Sequence, residues 1–274
     1  MQRHTLEVDG EVIAWYEHGQ GVPVVFLHGI PTGPSLWRAV VPLVHGVRCL
    51  VFEMPGYADS IPEGDGRDIS LAAQSARVVR WLDALDVNRA VLVGHDLGGG
   101  VGQIVAVEHP ERCAGLVLTN AVAYDSWPIP SVKSMRAAGP VVERVPAPLF
   151  RPMLSAFIRA GHDDRTVAAE SVGLHWGPYA RHGGAAAFVR QIRSLRTEDT
   201  LAVADRLSAI EAPARIVWGA ADRFQKLHYG ERLARDLRAP LARLDGARHF
   251  VPEDHPEPLA AAVEEVVALH GVRR

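Results

Sequence analysis

Arg89-Ala90-Val91-Leu92-Val93-Gly94-His95-Asp96-Leu97-Gly98-Gly99-Gly100 is the stretch on which the reading of this 274-residue chain turns. Val91, Leu92 and Val93 form a short continuous apolar run, the mark of a strand buried on both faces. They lead into Gly94-His95-Asp96-Leu97-Gly98, a G-x-nucleophile-x-G pattern. A helix follows, with Val101, Ile104 and Val105 on its inner face, and ends near His109-Pro110. A sharp strand-to-helix turn of this kind holds its middle side chain exposed on a strained backbone. A Cβ at either flank would strike neighbouring backbone, so glycine belongs there. The middle residue is Asp96, where such turns usually carry serine or cysteine.

Composition bounds the rest. Apolar residues make up 48% and charged residues 22% of the chain, the balance of an ordinary globular domain. A formal net charge of −3 without a basic tract gives no reason to expect nucleic acid or a membrane as partner. The two cysteines, Cys49 and Cys113, sit in apolar runs and are expected as reduced core thiols. Met1-Gln2-Arg3-His4 leads straight into a polar strand, so no signal peptide is expected and the cytoplasm is the expected location. A monomer or homodimer is the expected state.

From the N-terminus, Thr5–Val8 and Val12–Tyr16 flank Asp9-Gly10, a hairpin turn signal. Val22–Leu27 reads as a strand ending in His28-Gly29-Ile30-Pro31. Leu36, Trp37, Val40, Val41 and Leu43 are spaced as a helix, and Arg48–Phe52 as a strand. Leu71, Ser75, Val78, Leu82 and Leu85 fall four, three, four and three apart, an amphipathic helix behind a Ser70 cap. Beyond the Asp96 turn and its helix, Ala114–Thr119 is another strand. Strand and helix alternate, which argues a mostly parallel sheet of about eight strands with helices on both faces.

The alternation breaks over 124–200, a proline-rich stretch with helical patches and no clear strand, expected as a helical cap inserted between core segments 1–123 and 201–274. Ala214–Trp218 resumes the strand pattern and ends in Gly219-Ala220-Ala221-Asp222. A helix around Gly230–Leu237, a strand at Leu241–Leu244 and the turn Asp245–Phe250 follow. Asp254 and Glu257 have capping-box spacing ahead of a helix with Leu259, Val263 and Val266 inward. His162-Asp163-Asp164 reads as a capped turn, and neither a metal nor a cofactor is implied.

Asp96, Asp222 and His249 all follow the carboxyl ends of expected strands, where open α/β sheets place their ligands. Their order, nucleophile then acid then histidine, together with the His28-Gly29-Ile30-Pro31 loop and Leu36-Trp37, resembles the α/β-hydrolase fold over nearly the whole chain. With aspartate as the nucleophile it is similar to the haloalkane dehalogenase and epoxide hydrolase branch. In some members of that branch the acid follows the strand after the elbow helix. Here that region offers Asn120, and Asp125 as a distant second, so Asp222 is the better choice.

The resemblance implies a two-step reaction. A carboxylate is a nucleophile at neutral pH, suited to displacing a leaving group at a saturated carbon and forming an alkyl ester. Water activated by His249, held by Asp222, would then attack the Asp96 carbonyl carbon, with the backbone N–H groups of Ile30 and Leu97 as oxyanion hole. The expected partners are thus water and a small apolar electrophile.

Both leaving-group patterns of the branch are incomplete. Dehalogenases usually carry tryptophan beside the nucleophile and asparagine in the oxyanion loop; here these are Leu97 and Ile30. Fluoroacetate-type relatives carry arginine beside the nucleophile, also missing. Epoxide hydrolases carry cap tyrosines as proton donors, for which the candidates are Tyr179 and Tyr124 at unmatched positions. Trp176, Trp127 and Trp37 are further pocket candidates. On this balance the sequence favours epoxide opening, with halide displacement as the alternative. A ligand-binding or biosynthetic protein that kept the fold without hydrolysis is the third reading.

Overall fold

The computed structural model describes residues 1–272. It opens with strands β1 (Gln2–Val8), β2 (Glu11–Gly19), β3 (Val22–Leu27) and β4 (Val47–Glu53), then helix α1 (Leu71–Ala84). Asp9 and Gly10, both at positive φ, make the tight β1–β2 turn. Strand β5 (Ala90–His95), helix α2 (Leu97–Glu108) and strand β6 (Cys113–Thr119) complete the first half. The sheet order is β1-β2-β4-β3-β5-β6, and strands β7 (Ala214–Gly219) and β8 (Leu241–Leu244) extend it to eight. Only β2 runs against its neighbours; every pairing from β4 to β8 is parallel.

Burial explains the order. Val24–Leu27, Val91–Val93 and Leu116–Leu118 are wholly inaccessible, as strands covered on both faces must be. Adjacent strand residues face opposite sides, and β6 shows the two covers. A Cβ at Gly115 would strike Val266 of α11 (Pro256–Val272), whereas the Leu116 side chain lies over Gly102 of α2. Ser70 accepts from Ala73 N–H as the N-cap of α1. Helix α9 (Leu227–Asp236) packs on β7, with Gly230 pressed against Trp218. Cys49 and Cys113 are free and buried. No helix among the described residues is long and apolar enough to cross a membrane.

Two expectations need correction. Residues 34–43 form no α-helix but two short 3-10 turns, Pro34–Trp37 and Val41–Leu43. Pro34 and Pro42 remove backbone donors at the spacing a continuous helix would use. Asp254 does not cap the last helix. It closes the short helix α10 (Val251–Asp254), and its carboxylate accepts from His162 Nδ1 (2.8 Å) and Asp163 N–H (3.1 Å) instead.

Between β6 and β7 lie six helices and no strand: α3 (Pro130–Ala137), α4 (Gly139–Val142), α5 (Ala147–Ala160), α6 (Arg165–Arg181), α7 (Gly184–Arg193) and α8 (Thr197–Ala204). Asp164 caps α6 by accepting from Thr166 and Val167 N–H. Phe150, Tyr179 and Phe188 pack on one another with tilted rings at 5.6–6.4 Å, a small core of these helices themselves. A buried polar cluster ties this layer to the sheet. Glu253 accepts from Ser171 Oγ (2.6 Å), pairs with Arg38, and lies 3.3 Å from both His175 Nε2 and His162 Nε2. Burial works against the His162 imidazolium, but Asp254 and Glu253 outweigh it and hold the group at about 9.

That cluster has a pH signature. A group raised in the folded state stabilises fully below its unfolded value, here 6.5, and its contribution fades as pH climbs through about 9. His162→Gln should therefore flatten the loss of stability across that window, measured by urea unfolding at several pH values. An unchanged slope would show that the cluster does not carry it.

Candidate active site

The site is assembled at the carboxyl edge of the sheet. Strand β5 ends at His95, and Asp96 turns the chain into α2 with φ 50° and ψ −120°, a region L-residues rarely occupy. The turn is possible because Gly94 and Gly98 press directly on neighbouring backbone, Gly98 on the carbonyls of Leu27 and His28. The loop after β3 closes over it, and a Cβ on Gly29 would overlap the Asp96 carboxylate. This loop is held from below by His28. Burial pushes the His28 imidazole down to about 3, so it stays neutral and its Nε2 accepts from Met54 N–H at 3.1 Å.

One carboxylate oxygen of Asp96, Oδ1, accepts from Ile30 N–H at 3.0 Å, and Leu97 N–H donates to the same carboxylate. Asp96 Oδ2 lies 3.6 Å from His249 Nε2, beyond hydrogen-bond length. His249 Nδ1 donates to Asp222 Oδ2 at 2.8 Å. All three side chains are buried, Asp96 at 5%, Asp222 at 6% and His249 at 2% exposure, so their charges meet little water. Burial raises the Asp96 carboxyl above the usual range, against the opposing pull of His249 and the two N–H groups. For His249 burial favours the neutral ring, but Asp222, and then Asp96, more than reverse this and hold it above the ordinary histidine value.

The histidine has further supports. Its backbone N–H donates to Gly161 O (2.9 Å) at the end of α5, and its carbonyl accepts from His95 Nε2 (3.0 Å). Burial keeps His95 neutral. Asp222 also accepts from Phe224 N–H (2.6 Å) and from Asn120 Nδ2 (2.6 Å), while Asn120 Oδ1 accepts from Gly219 N–H (3.0 Å). Asn120 thus stands where the alternative acid was expected and helps to orient Asp222.

A small cavity of about 30 Å³ opens above Asp96 and His249, lined mainly by apolar side chains from Val122, Trp127, Val132 and Leu195, and closed on one side by Phe157 stacked on Phe224 at 4.7 Å. Four of the five candidate pocket aromatics lie elsewhere. Tyr179 is inside the helical insertion, its OH donating to Gln191 Oε1 at 2.6 Å. Tyr124 donates to Asp236 Oδ2 at 2.6 Å with Arg232 over its ring. Trp176 packs against Phe150, and Trp37 against Phe26. Trp127 does line the cavity, but its N–H is taken by Thr200 Oγ1 at 2.8 Å. Gln225 joins the lining, and it escapes sequence reading because a polar residue in a polar loop carries no periodic signal. It is buried, and its amide oxygen has no hydrogen-bond partner. Among the described residues no cluster suited to a metal ion occurs.

An eight-stranded sheet gathers Asp96, Asp222 and His249 from the loops after β5, β7 and β8 at one edge. Residues 22–256 match the family described as alpha/beta hydrolase fold, and the chain belongs to that family. Haloalkane dehalogenase 2 of Mycobacterium tuberculosis is 30% identical over 267 residues, 92% of this chain and 90% of that protein. An uncharacterized hydrolase of Bacillus subtilis, YugF, is 25% identical over 95% of this chain and 96% of its own length. Among solved structures, an alpha/beta hydrolase fold protein from Burkholderia ambifaria superposes with a TM-score of 0.82 at 28% identity, over 96% of this chain and all of that one. Haloalkane dehalogenase DbeA from Bradyrhizobium elkani shares the fold, with a TM-score of 0.80 at 22% identity over 100% and 99% of the two chains.

Asn120 supplies a test of the acid. Asn120→Leu removes a donor from Asp222, leaving its carboxylate a stronger partner for the imidazolium. The His249 ring should then titrate at a higher pH than in the unaltered protein, read from its NMR signal. A lower or unchanged titration point would mean that Asn120 does not tune the pair.

Proposed function

We propose that this hydrolase displaces halide from an alkyl carbon through an ester of Asp96, then hydrolyses that ester. The observation that carries the reading is that the Asp96 carboxylate itself takes the N–H donors of both Ile30, at Oδ1, and Leu97. In a serine enzyme those donors wait for the substrate oxygen. Here the protein's own carboxylate occupies them, which suits a reaction whose oxyanion forms on the nucleophile itself.

In the first step Oδ2 attacks the carbon, the new C–O bond forms, and the carbon–halogen pair leaves as halide. No proton moves. In the second, water attacks the Asp96 carbonyl carbon and gives a proton to His249 Nε2. The oxyanion on Oδ1 is held by Ile30 and Leu97. Collapse expels the alcohol oxygen, which takes the proton back from His249, and the restored carboxyl releases a proton to solvent.

Alkylation also prepares its own base. The Asp96 charge is one of the influences raising His249, and an ester is neutral. The histidine therefore becomes easier to deprotonate at the moment it must accept a proton from water.

The leaving group follows from what surrounds the cavity. An epoxide oxygen needs a proton as it opens, and neither Tyr179 nor Tyr124 lines the cavity. Halide needs only donors and a dry wall. Leu97 offers no indole, so the side-chain NH₂ of the lining residue Gln225 is the donor assigned to the halide, and the similarity to a dehalogenase across 92% of the chain supports the same choice.

His249→Gln should complete the first step and stall before the second. After incubation with 1-bromobutane, the peptide containing Asp96 should be heavier by a butyl group in place of one hydrogen. Absence of that adduct while the bromide binds would sink the covalent route, and an adduct with styrene oxide alone would move the assignment to epoxides. Gln225→Leu should lower the rate of bromide release by on the order of tenfold to a hundredfold, the scale of one hydrogen bond to an anion. An unaltered rate would remove Gln225 as the halide donor.

A further inference from the structure

A second depression adjoins the cavity above Asp96, and Pro128, Ile129 and Phe224 line both. Ile129 and Phe224 are half-buried, one side toward the cavity and the other toward solvent. Around the outer depression stand Lys133 of α3, and Arg223 and Lys226 from the loop after Asp222. The chain has only two lysines, and both are here.

What sets these three cations apart is their place beside the cavity. Many arginines elsewhere are spent on carboxylates, such as Arg48 on Glu17, Arg193 on Glu143 and Arg215 on Glu265. Lys133, Arg223 and Lys226 are exposed and make no ion pair with the described residues. The carboxylate lining the depression, Asp125, accepts from Tyr229 OH at 3.2 Å. On a chain of net charge −3 this is a local excess of positive charge, gathered from two separate elements at the door of the catalytic cavity. Like charges drawn together without partners are unfavourable unless an anion joins them.

We propose that the substrate is an amphiphilic anion. Its alkyl segment, bearing the electrophilic carbon, lies in the buried cavity, and its carboxylate sits in the outer depression among Lys133, Lys226 and Arg223. Lysine suits this role, since a mobile point charge follows an anionic end without fixing its geometry. The identity of the reacting end rests on the Asp96 ester reading; the anion subsite does not, and binding alone decides it.

The test compares hexanoate with hexan-1-ol by calorimetric titration of the intact protein. Hexanoate should bind on the order of tenfold more tightly at low salt, and raising salt from about 20 to about 500 mM should weaken hexanoate alone, because exposed charges are screened. In the triple variant Lys133→Gln/Arg223→Gln/Lys226→Gln the two ligands should bind alike, with the hexan-1-ol affinity unchanged. Equal affinities in the unaltered protein, a preference that survives the triple substitution, or no binding of either ligand would each overturn the proposal. A salt-sensitive preference for hexanoate in a protein whose His249→Gln form traps no ester would keep the subsite and discard the ester reading. Trapping without the preference would do the reverse.

Discussion

Everything at the sheet edge depends on one carboxylate being held between two backbone N–H groups. Asp96 Oδ1 accepts from Ile30 N–H and Leu97 N–H donates to the same carboxylate, the two donors coming from the loop after β3 and the first turn of α2. This fixes the carboxylate plane, with Oδ2 3.6 Å from His249. It also offsets part of the desolvation that raises the carboxyl. A buried carboxylate without those donors would favour its protonated form and lose nucleophilicity.

The histidine is held from a different direction. Its ring is oriented by Asp222, itself held by Asn120, but its backbone is hung from Gly161 at the end of α5. A few residues on, Glu253 and Asp254 meet Arg38, His162, Ser171 and His175 in one polar cluster. The inserted helices therefore share in placing the base as well as covering the site. Removing one partner of such a cluster leaves buried charge unpaired, and the penalty falls next to His249.

Much of this was legible in the sequence because the signals were strong and local. Val22–Leu27 ends where its apolar run ends, and the Ser70 cap and the Asp96 turn follow from residue type and spacing. What escaped was long-range. The spacing of residues 36–43 is helical, yet the prolines decide. Tyr179 has the chemistry of a proton donor, but a one-dimensional reading cannot tell that Phe150, Phe188 and Gln191 enclose it. Asn120 is visible in the sequence only as a missing acid. Its use, donating to Asp222 across about a hundred residues of chain, needs the fold.

The glycine contacts under Asp96 also divide the molecule into parts that can and cannot breathe. Gly98 rests on the backbone of Leu27 and His28, and Gly29 rests on the Asp96 side chain, so neither loop can lift without breaking the other's fit. The floor of the site is rigid for steric reasons. The opposite wall carries no such constraint: there Phe157 of α5 lies flat on Phe224 with ring planes 6° apart. An aromatic stack is weak and slides without breaking hydrogen bonds. That wall can therefore change side chain by side chain over generations while the floor under Asp96 stays fixed.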